Sequence, residues 1–141
     1  MLVFSGKIQL KPLTPGELAT LRQPGPAPTV GVHRNLPEQA HRKGRWKRLS
    51  DGNYQWRLEI RSPGARSLRV RFTDFDTGRA TVRVCEQDGK RCYGPYTGKG
   101  PHEDHSFWSD TVEGDTVRLE FVSPVRRSPL PFRIPEIAHH R

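Results

Sequence analysis

The sequence predicts an all-β protein, built as an antiparallel β-sandwich behind an extended N-terminal arm. From Trp46 onward, apolar and polar residues alternate with a period of two, which is the pattern of half-buried strands. The 141 residues include 13 Gly and 13 Pro, a content that turn-rich β domains use and helix bundles avoid. No helical period separates the alternating segments, so the strands are expected to pair antiparallel around one core.

Residues 1–45 are expected to form an arm or linker, which leaves residues 46–141 for the sandwich. The stretch "LTPGELATLR" predicts one short helical turn from Pro15 to Arg22, with Thr14 as its N-cap. The "QPGPAP" that follows has the composition of an extended linker. One further strand is expected around residues 29–33.

The sandwich strands follow one another between turn residues. In "YQWRLEIRS", "LRVRF", "ATVRVC" and "DTVRLEF" the apolar residues fall on one face, and most of the residues between them are charged. A last strand is expected in "PFRIPEIAHH", where Pro135 restricts it to a sheet edge or a bulge. A jelly-roll or CUB-like arrangement would accommodate these strands. The predicted core consists of Trp46, Trp56, Leu58, Ile60, Leu68, Val70, Phe72, Val117, Leu119 and Phe121.

The formal net charge is +9, from 24 basic and 15 acidic residues, and such a charge attracts polyanions and acidic surfaces. Many arginines, however, occupy the strand faces opposite to the aromatic residues. Nucleic-acid modules interleave the two types, so a solvated basic face is expected and a nucleic-acid partner is not. No apolar run approaches the roughly 20 residues of a membrane span, so a membrane partner is not expected either.

The first residues, "MLVFSGKIQLKPL", lack the basic segment and apolar run of a signal peptide. We therefore expect either an intracellular chain or a piece of a longer exported one. Cys85 and Cys92 flank "EQDGKR", in which Asp88-Gly89 is a tight-turn signal. A hairpin there would bring the thiols together, so we favour a disulfide and an oxidising compartment over two free thiols. A loop this short would contribute about 2–3 kcal/mol.

Residues 94–105, "GPYTGKGPHEDH", contain fragments of three kinds of site. A phosphate loop needs Ser or Thr after its lysine and then a helix, whereas Lys99 precedes Gly100-Pro101. The histidines of "HEDH" lie in a loop and would need a further ligand, so at most an adventitious surface metal site is expected. Asp104, His105 and Ser106 have the residue types of a catalytic triad. Because they are consecutive, they cannot adopt its geometry, and no catalytic residue is expected in this chain.

Two further groups each allow two interpretations. Asp74 and Asp76, in "TDFDTG", could share a calcium ion near a strand end, or could form an ordinary Asp-rich turn. No other cofactor is expected. The aromatic residues Tyr93, Tyr96, Phe107 and Trp108 could offer a sugar-stacking binding surface. Alternatively, they pack together and close one end of the sandwich.

Five stretches, taken in order, resemble the N-terminal non-catalytic region of secreted bacterial trypsin-like serine proteases, with the lysyl-endopeptidase-like group as the nearest comparison. They span residues 30–141 and are "VGVHRNLP", "GRWKRLSDGNYQWRLEIRSPGARSLRVRFTDF", "GPYTGKG", "FWSDTVEGDTVRLEF" and "PFRIPEIAHHR".

This resemblance implies a non-catalytic β-sandwich that serves as a pro-region or accessory module of a secreted serine endopeptidase. Its partner would be the protease domain or the protease substrate, and its location would be secreted or periplasmic. No catalytic residue is transferred by the resemblance, because the family's triad belongs to a following domain. A carbohydrate- or cell-surface-binding module remains the alternative function.

Overall fold

The computed structural model describes residues 5–21 and 31–141. Strands make up most of the regular structure of the described residues, helices contribute two short pieces, and the strands form two sheets that pack against each other. The predicted all-β sandwich is therefore confirmed, while the jelly-roll or CUB-like connectivity stays a prediction. Among the described residues, no helix is long and apolar enough to cross a bilayer.

The described residues form two helical pieces and eleven strands. The helical pieces are α1 (Pro15–Leu21) and a 3-10 helix (Ala40–Arg42). The strands are β1 (Gly6–Gln9), β2 (Val32–Asn35), β3 (Arg45–Arg48), β4 (Tyr54–Arg61), β5 (Ser67–Thr73), β6 (Thr81–Glu86), β7 (Cys92–Tyr96), β8 (Phe107–Trp108), β9 (Val112–Glu113), β10 (Thr116–Ser123) and β11 (Arg133–His140).

The larger sheet has six strands in the order β1-β4-β10-β6-β7, and β3 also pairs with β4. All of its pairings are antiparallel except that of β1, which runs parallel to β4 with Gly6 opposite Leu58. The smaller sheet has five strands in the order β2-β11-β5-β8, and β9 also pairs with β5. The β11 register shifts between Arg133 and Glu136, so Pro135 occupies the bulge that its missing N–H requires.

The core lies between the inner faces of the two sheets. Nine of the ten predicted core residues are no more than 2% exposed, and the tenth, Trp46, is half-buried with its ring 5.9 Å from that of Phe121. Two large aromatic residues of the core are among those that the prediction did not include, and both lie just outside a strand of the structure. Phe75 follows β5 and Phe132 precedes β11, and both are buried almost completely. The alternation located the long strands but not the residues beside them that also pack in the core.

The predicted division at residue 45 needs correction, because strands from residues 1–45 belong to the sandwich. β1 pairs with β4 and β2 pairs with β11. Ile8, Leu36 and Ala40 are at most 8% exposed and pack in the same core as the later strands. Four-residue strands are too short to show a convincing period, and their partners lie far away in sequence. The structure therefore contains no separate extended arm in the part of residues 1–45 that it describes.

The predicted helical turn is present as α1, and its N-cap is as expected. Glu17 N donates to Thr14 Oγ1 at 3.2 Å, and Thr14 N donates to Glu17 Oε1 at 2.9 Å. This reciprocal pair is a capping box, which satisfies two amides that the first turn leaves without partners. The predicted end at Arg22 and the start of the predicted strand, Thr29 and Val30, lie outside the described residues.

The hairpin between β6 and β7 contains the two cysteines. Cys85 lies opposite Cys92, and their sulfurs are joined in a disulfide. Gly89 has φ 74°, a left-handed conformation that favours glycine in this turn. A Cβ at this position would also lie 1.9 Å from Arg118 Nη2, so the Arg118 side chain of β10 lies against this turn. The tight turn was thus predictable, but its contact with Arg118 was not.

We expect Leu36→Ala to lower the free energy of unfolding by about 2–5 kcal/mol, the usual cost of truncating a buried leucine. The matched control is Val125→Ala, because Val125 is 57% exposed and its truncation should change stability by less than about 0.5 kcal/mol. Chemical denaturation of both variants provides the measurement. Equal, small losses for the two variants would show that the segment before Trp46 lies outside the core.

Candidate interaction surface

The outer face of the smaller sheet brings together side chains from four strands. Phe72 of β5 lies opposite Phe107 of β8, and both point into the core. Their neighbours Arg71 and Trp108, which are also opposite each other, must therefore point outward. The same alternation directs Glu136 outward, because it lies opposite Arg71 on β11.

A second row of outward positions lies beside the first. Arg69 is opposite Ala138, and Ala138 is opposite His33 on β2. The small side chain of Ala138 lies between the larger side chains of Arg69 and His33. We call the set His33, Arg69, Arg71, Trp108 and Glu136 the Trp108 face.

Trp108 is half-buried and contacts its neighbours on this face. Its ring centroid lies 5.0 Å from that of His33, at an interplanar angle of 41°. His33 Nδ1 is 3.3 Å from Glu136 Oε1, and Arg71 Nη1 is 3.7 Å from Glu136 Oε2. Exposed ion pairs of this kind contribute little to stability. Their effect here is to hold charged groups around the indole.

A cavity of about 270 Å³ lies next to Trp108 and is lined also by Tyr96, Pro101 and Arg69. The Tyr96 hydroxyl donates to Asp110 Oδ2 at 2.5 Å, and Asp110 N donates back to the hydroxyl oxygen at 2.9 Å. Burial and the Asp110 side-chain hydrogen bond raise the pKa of Tyr96, so the phenol keeps its proton. This pair fixes the loop that forms one wall of the cavity.

The four aromatic residues considered for a binding surface do not form a common platform. Phe107 is 4% exposed and stacks on Phe72 at 5.0 Å, so its ring belongs to the core. Tyr93 is half-buried and also packs against the core. Only Tyr96 and Trp108 line the same cavity. The packing interpretation accounts for most of this group, and sugar binding stays a prediction that rests on two rings.

A buried serine–histidine contact lies at the other end of the smaller sheet. Ser62 Oγ is 2.6 Å from His139 Nδ1, and the two residues are 0% and 1% exposed. Arg34 Nη1 donates to the same serine oxygen at 2.8 Å, and its Nε lies 3.8 Å from Glu17 Oε2. The network joins α1, β2 and β11 to the turn after β4. Sequence reasoning missed it, because 77 residues separate Ser62 from His139.

This contact has the residue types of a nucleophile and a base, but not their arrangement. A catalytic histidine needs a carboxylate on its second nitrogen and a nucleophile that substrate can reach. Among residues 5–21 and 31–141, His139 Nε2 has no hydrogen-bond partner, and Ser62 is sealed from solvent. The nearby Glu17 pairs with Arg34. The Ser62–His139 contact therefore has the arrangement of a structural hydrogen bond.

Burial lowers the pKa of His139, and the positive charge of Arg34 lowers it further, against a smaller opposing effect of Glu17. Arg34 can only donate to Ser62, so we assign the serine proton to the hydrogen bond with Nδ1. His139 is then neutral, with its own proton on Nε2.

The other candidate site residues lie in loops, where their contacts do not bring them together into one site. His105 Nδ1 bonds to the Phe75 carbonyl oxygen at 3.0 Å, whereas His102 is exposed. Asp74 and Asp76 are also exposed, and Asp74 pairs with Arg133 at 3.6 Å. In the described part of the chain, three potential metal ligands converge only at Cys85, Cys92 and Glu120, where both sulfurs are used in the disulfide. Calcium binding at Asp74 and Asp76 stays a prediction.

The fold and these contacts define the class of the protein, a β-sandwich module with an outward face of aromatic and basic groups. The model of the family described as "Lysyl endopeptidase N-terminal domain" matches residues 7–141. The chain belongs to this family, and the resemblance inferred from the five motifs is confirmed. No curated protein matches the sequence.

We expect the unfolding free energy to fall as the pH is lowered below about 6.5. The reason is that His139 binds a proton in the unfolded chain at a pH where the buried, folded histidine is still neutral. His139→Gln should reduce this pH dependence without abolishing it, since burial also lowers the pKa values of His41 and His140. Denaturant titrations between neutral and acidic pH provide the measurement, with the exposed His102→Gln as the control. If the unfolding free energies of His139→Gln and of the unchanged chain have the same dependence on pH, a neutral, buried His139 is contradicted.

Proposed function

We propose that this chain is a non-catalytic module of a secreted lysyl-endopeptidase-type serine protease, and that it acts by contacting the protease domain through the Trp108 face. The observation that carries the proposal is the family match, which spans residues 7–141 and therefore all the strands except the first residue of β1. The Cys85–Cys92 disulfide supports a location outside the reducing cytoplasm.

The arrangement of serines and histidines supports the proposal that the chain is non-catalytic. Among the described residues, the shorter serine–histidine contact, between Ser62 and His139, is buried. The other joins Ser67 Oγ and His140 Nδ1 at 3.1 Å, and Ser67 is only 8% exposed. Neither serine presents an accessible hydroxyl with a histidine that a carboxylate orients. This arrangement supports the proposal that proteolysis takes place on another domain.

The residue types of the Trp108 face support the proposed contact with the protease domain. Tryptophan and arginine are enriched at the energetic centres of protein interfaces, where tryptophan buries a large rigid ring and arginine offers several hydrogen-bond donors. Here Trp108 is held by contact with His33, and Arg71 is held by its pair with Glu136. Side chains that are already ordered lose less freedom on binding.

We expect the chain to bind a lysyl endopeptidase protease domain, and Trp108→Ala and Arg71→Ala each to weaken the affinity by about tenfold or more. Arg83→Ala is the matched control, because Arg83 is an exposed arginine on the outer face of the larger sheet and should be neutral. Titration calorimetry with separately expressed domains provides the measurement.

Two results would overturn the proposal. If the unchanged chain does not bind the protease domain, the proposed contact does not exist. If Arg71→Ala and Arg83→Ala weaken the affinity equally, binding reflects general charge attraction and not the Trp108 face. The chain alone is also expected to leave lysyl peptide substrates intact. Turnover abolished by a serine-directed inhibitor would contradict the non-catalytic assignment.

A further inference from the structure

A second cavity, away from the Trp108 face, opens beside β3. Its volume is about 460 Å³, within the range of small-ligand sites. Trp56 and Gly44 line it together with Trp46, Leu130 and two arginines, Arg42 and Arg127. No acidic residue is among the described residues that line it. The cavity thus combines apolar walls with positive charge only.

The Trp56 indole contributes a hydrogen-bond donor to the residues that line this cavity. Trp56 is 2% exposed overall and is one of the lining residues. Its Nε1–H can donate a hydrogen bond but cannot accept one, so it suits an acceptor such as a carboxylate oxygen. The edge of the ring that contains Nε1 borders Gly44, where an added Cβ would lie 2.1–2.4 Å from Cε2, Nε1 and Cζ2. Glycine at this position lets the backbone approach the indole edge, and both residues line the cavity.

The two arginines are available to a ligand. Within the described residues, neither Arg42 nor Arg127 forms an ion pair, and Arg127 Nη1 reaches only the Thr77 carbonyl oxygen at 3.4 Å. The surrounding positive potential also acts on His41, which lines the same cavity. Burial lowers the pKa of His41, and the charges of Arg133 and Arg42 lower it further with no carboxylate opposing them.

We propose that this cavity binds a peptide segment of a protein partner by accepting a carboxylate side chain and the apolar side chain next to it. The carboxylate would receive hydrogen bonds from Trp56 Nε1 and from the guanidinium groups, which match its geometry. The neighbouring apolar side chain would cover Trp46 and Leu130. An anion without an apolar neighbour would leave these walls exposed, and for this reason the structure favours a peptide over a phosphate backbone. The inference does not depend on the proposed function.

The test uses the full chain and a capped peptide, acetyl-Leu-Glu-Leu-amide, with acetyl-Leu-Gln-Leu-amide as its neutral counterpart. The readout is the indole N–H signal of Trp56 in proton–nitrogen correlation spectra, assigned with a Trp56→Phe variant. We expect the glutamate peptide to shift this signal at millimolar concentration and to bind about tenfold more tightly than the glutamine peptide.

Two variants separate the cavity from the general charge of the protein. The double variant Arg42→Ala/Arg127→Ala should weaken binding of the glutamate peptide by about tenfold. Arg48→Ala removes an exposed arginine of β3 that does not line the cavity, and it should change affinity by less than about twofold. All three substitutions are at the surface or at the cavity wall, so the fold is expected to persist, and the remaining cross-peaks of the spectrum report it directly.

Several outcomes would overturn the proposal. These are an unmoved Trp56 signal, equal affinity for the two peptides, or equal losses for the double variant and Arg48→Ala. Tighter binding of a short single-stranded oligonucleotide, with the same signal shifted, would also overturn it and assign the cavity to nucleic acid.

Discussion

The rest of the structure depends on the contact between the inner faces of the two sheets, which aromatic rings dominate. Phe132 lies at the centre of this contact, with its ring 5.7 Å from Trp56, 5.6 Å from Phe72 and 5.5 Å from Phe121, each time edge to face. Edge-to-face contacts depend on orientation as well as distance, so these rings fix how one sheet lies on the other. Because side chains alternate along a strand, the inward set also determines the outward set, including Trp108.

The same constraint explains why the N-terminal segments belong to the sandwich. β1 adds a parallel strand beside β4, and β2 completes the smaller sheet beside β11, which would otherwise be an edge. The network of Arg34, Ser62 and His139 connects β2 and β11 to the turn after β4. This buried serine–histidine pair is a structural hydrogen bond, and its network joins α1, β2, β11 and the turn after β4.

Local patterns in the sequence predicted the local features of the fold. The period of two located the long strands, Asp88-Gly89 located the hairpin of Cys85 and Cys92, and Thr14 located the helix cap. Contacts between distant segments could not be predicted in this way. The parallel pairing of β1, the packing of Phe132 and the junction around His139 depend on partners that no short pattern identifies. The candidate surface was predicted only in part. Alternation placed Arg71 outward, but the sequence left both a binding surface and packing open for Phe107, which packs in the core.

The central claim is that this lysyl endopeptidase N-terminal domain works through an outward face whose side chains the core holds in place. Hydroxyl-radical footprinting of the chain with and without a lysyl endopeptidase protease domain tests this claim most directly. Trp108 should become protected from oxidation in the complex, while the half-buried Tyr54, which Arg126 covers at the far side of the sandwich core, should react unchanged. A complex that forms while Trp108 keeps its full reactivity would contradict the account.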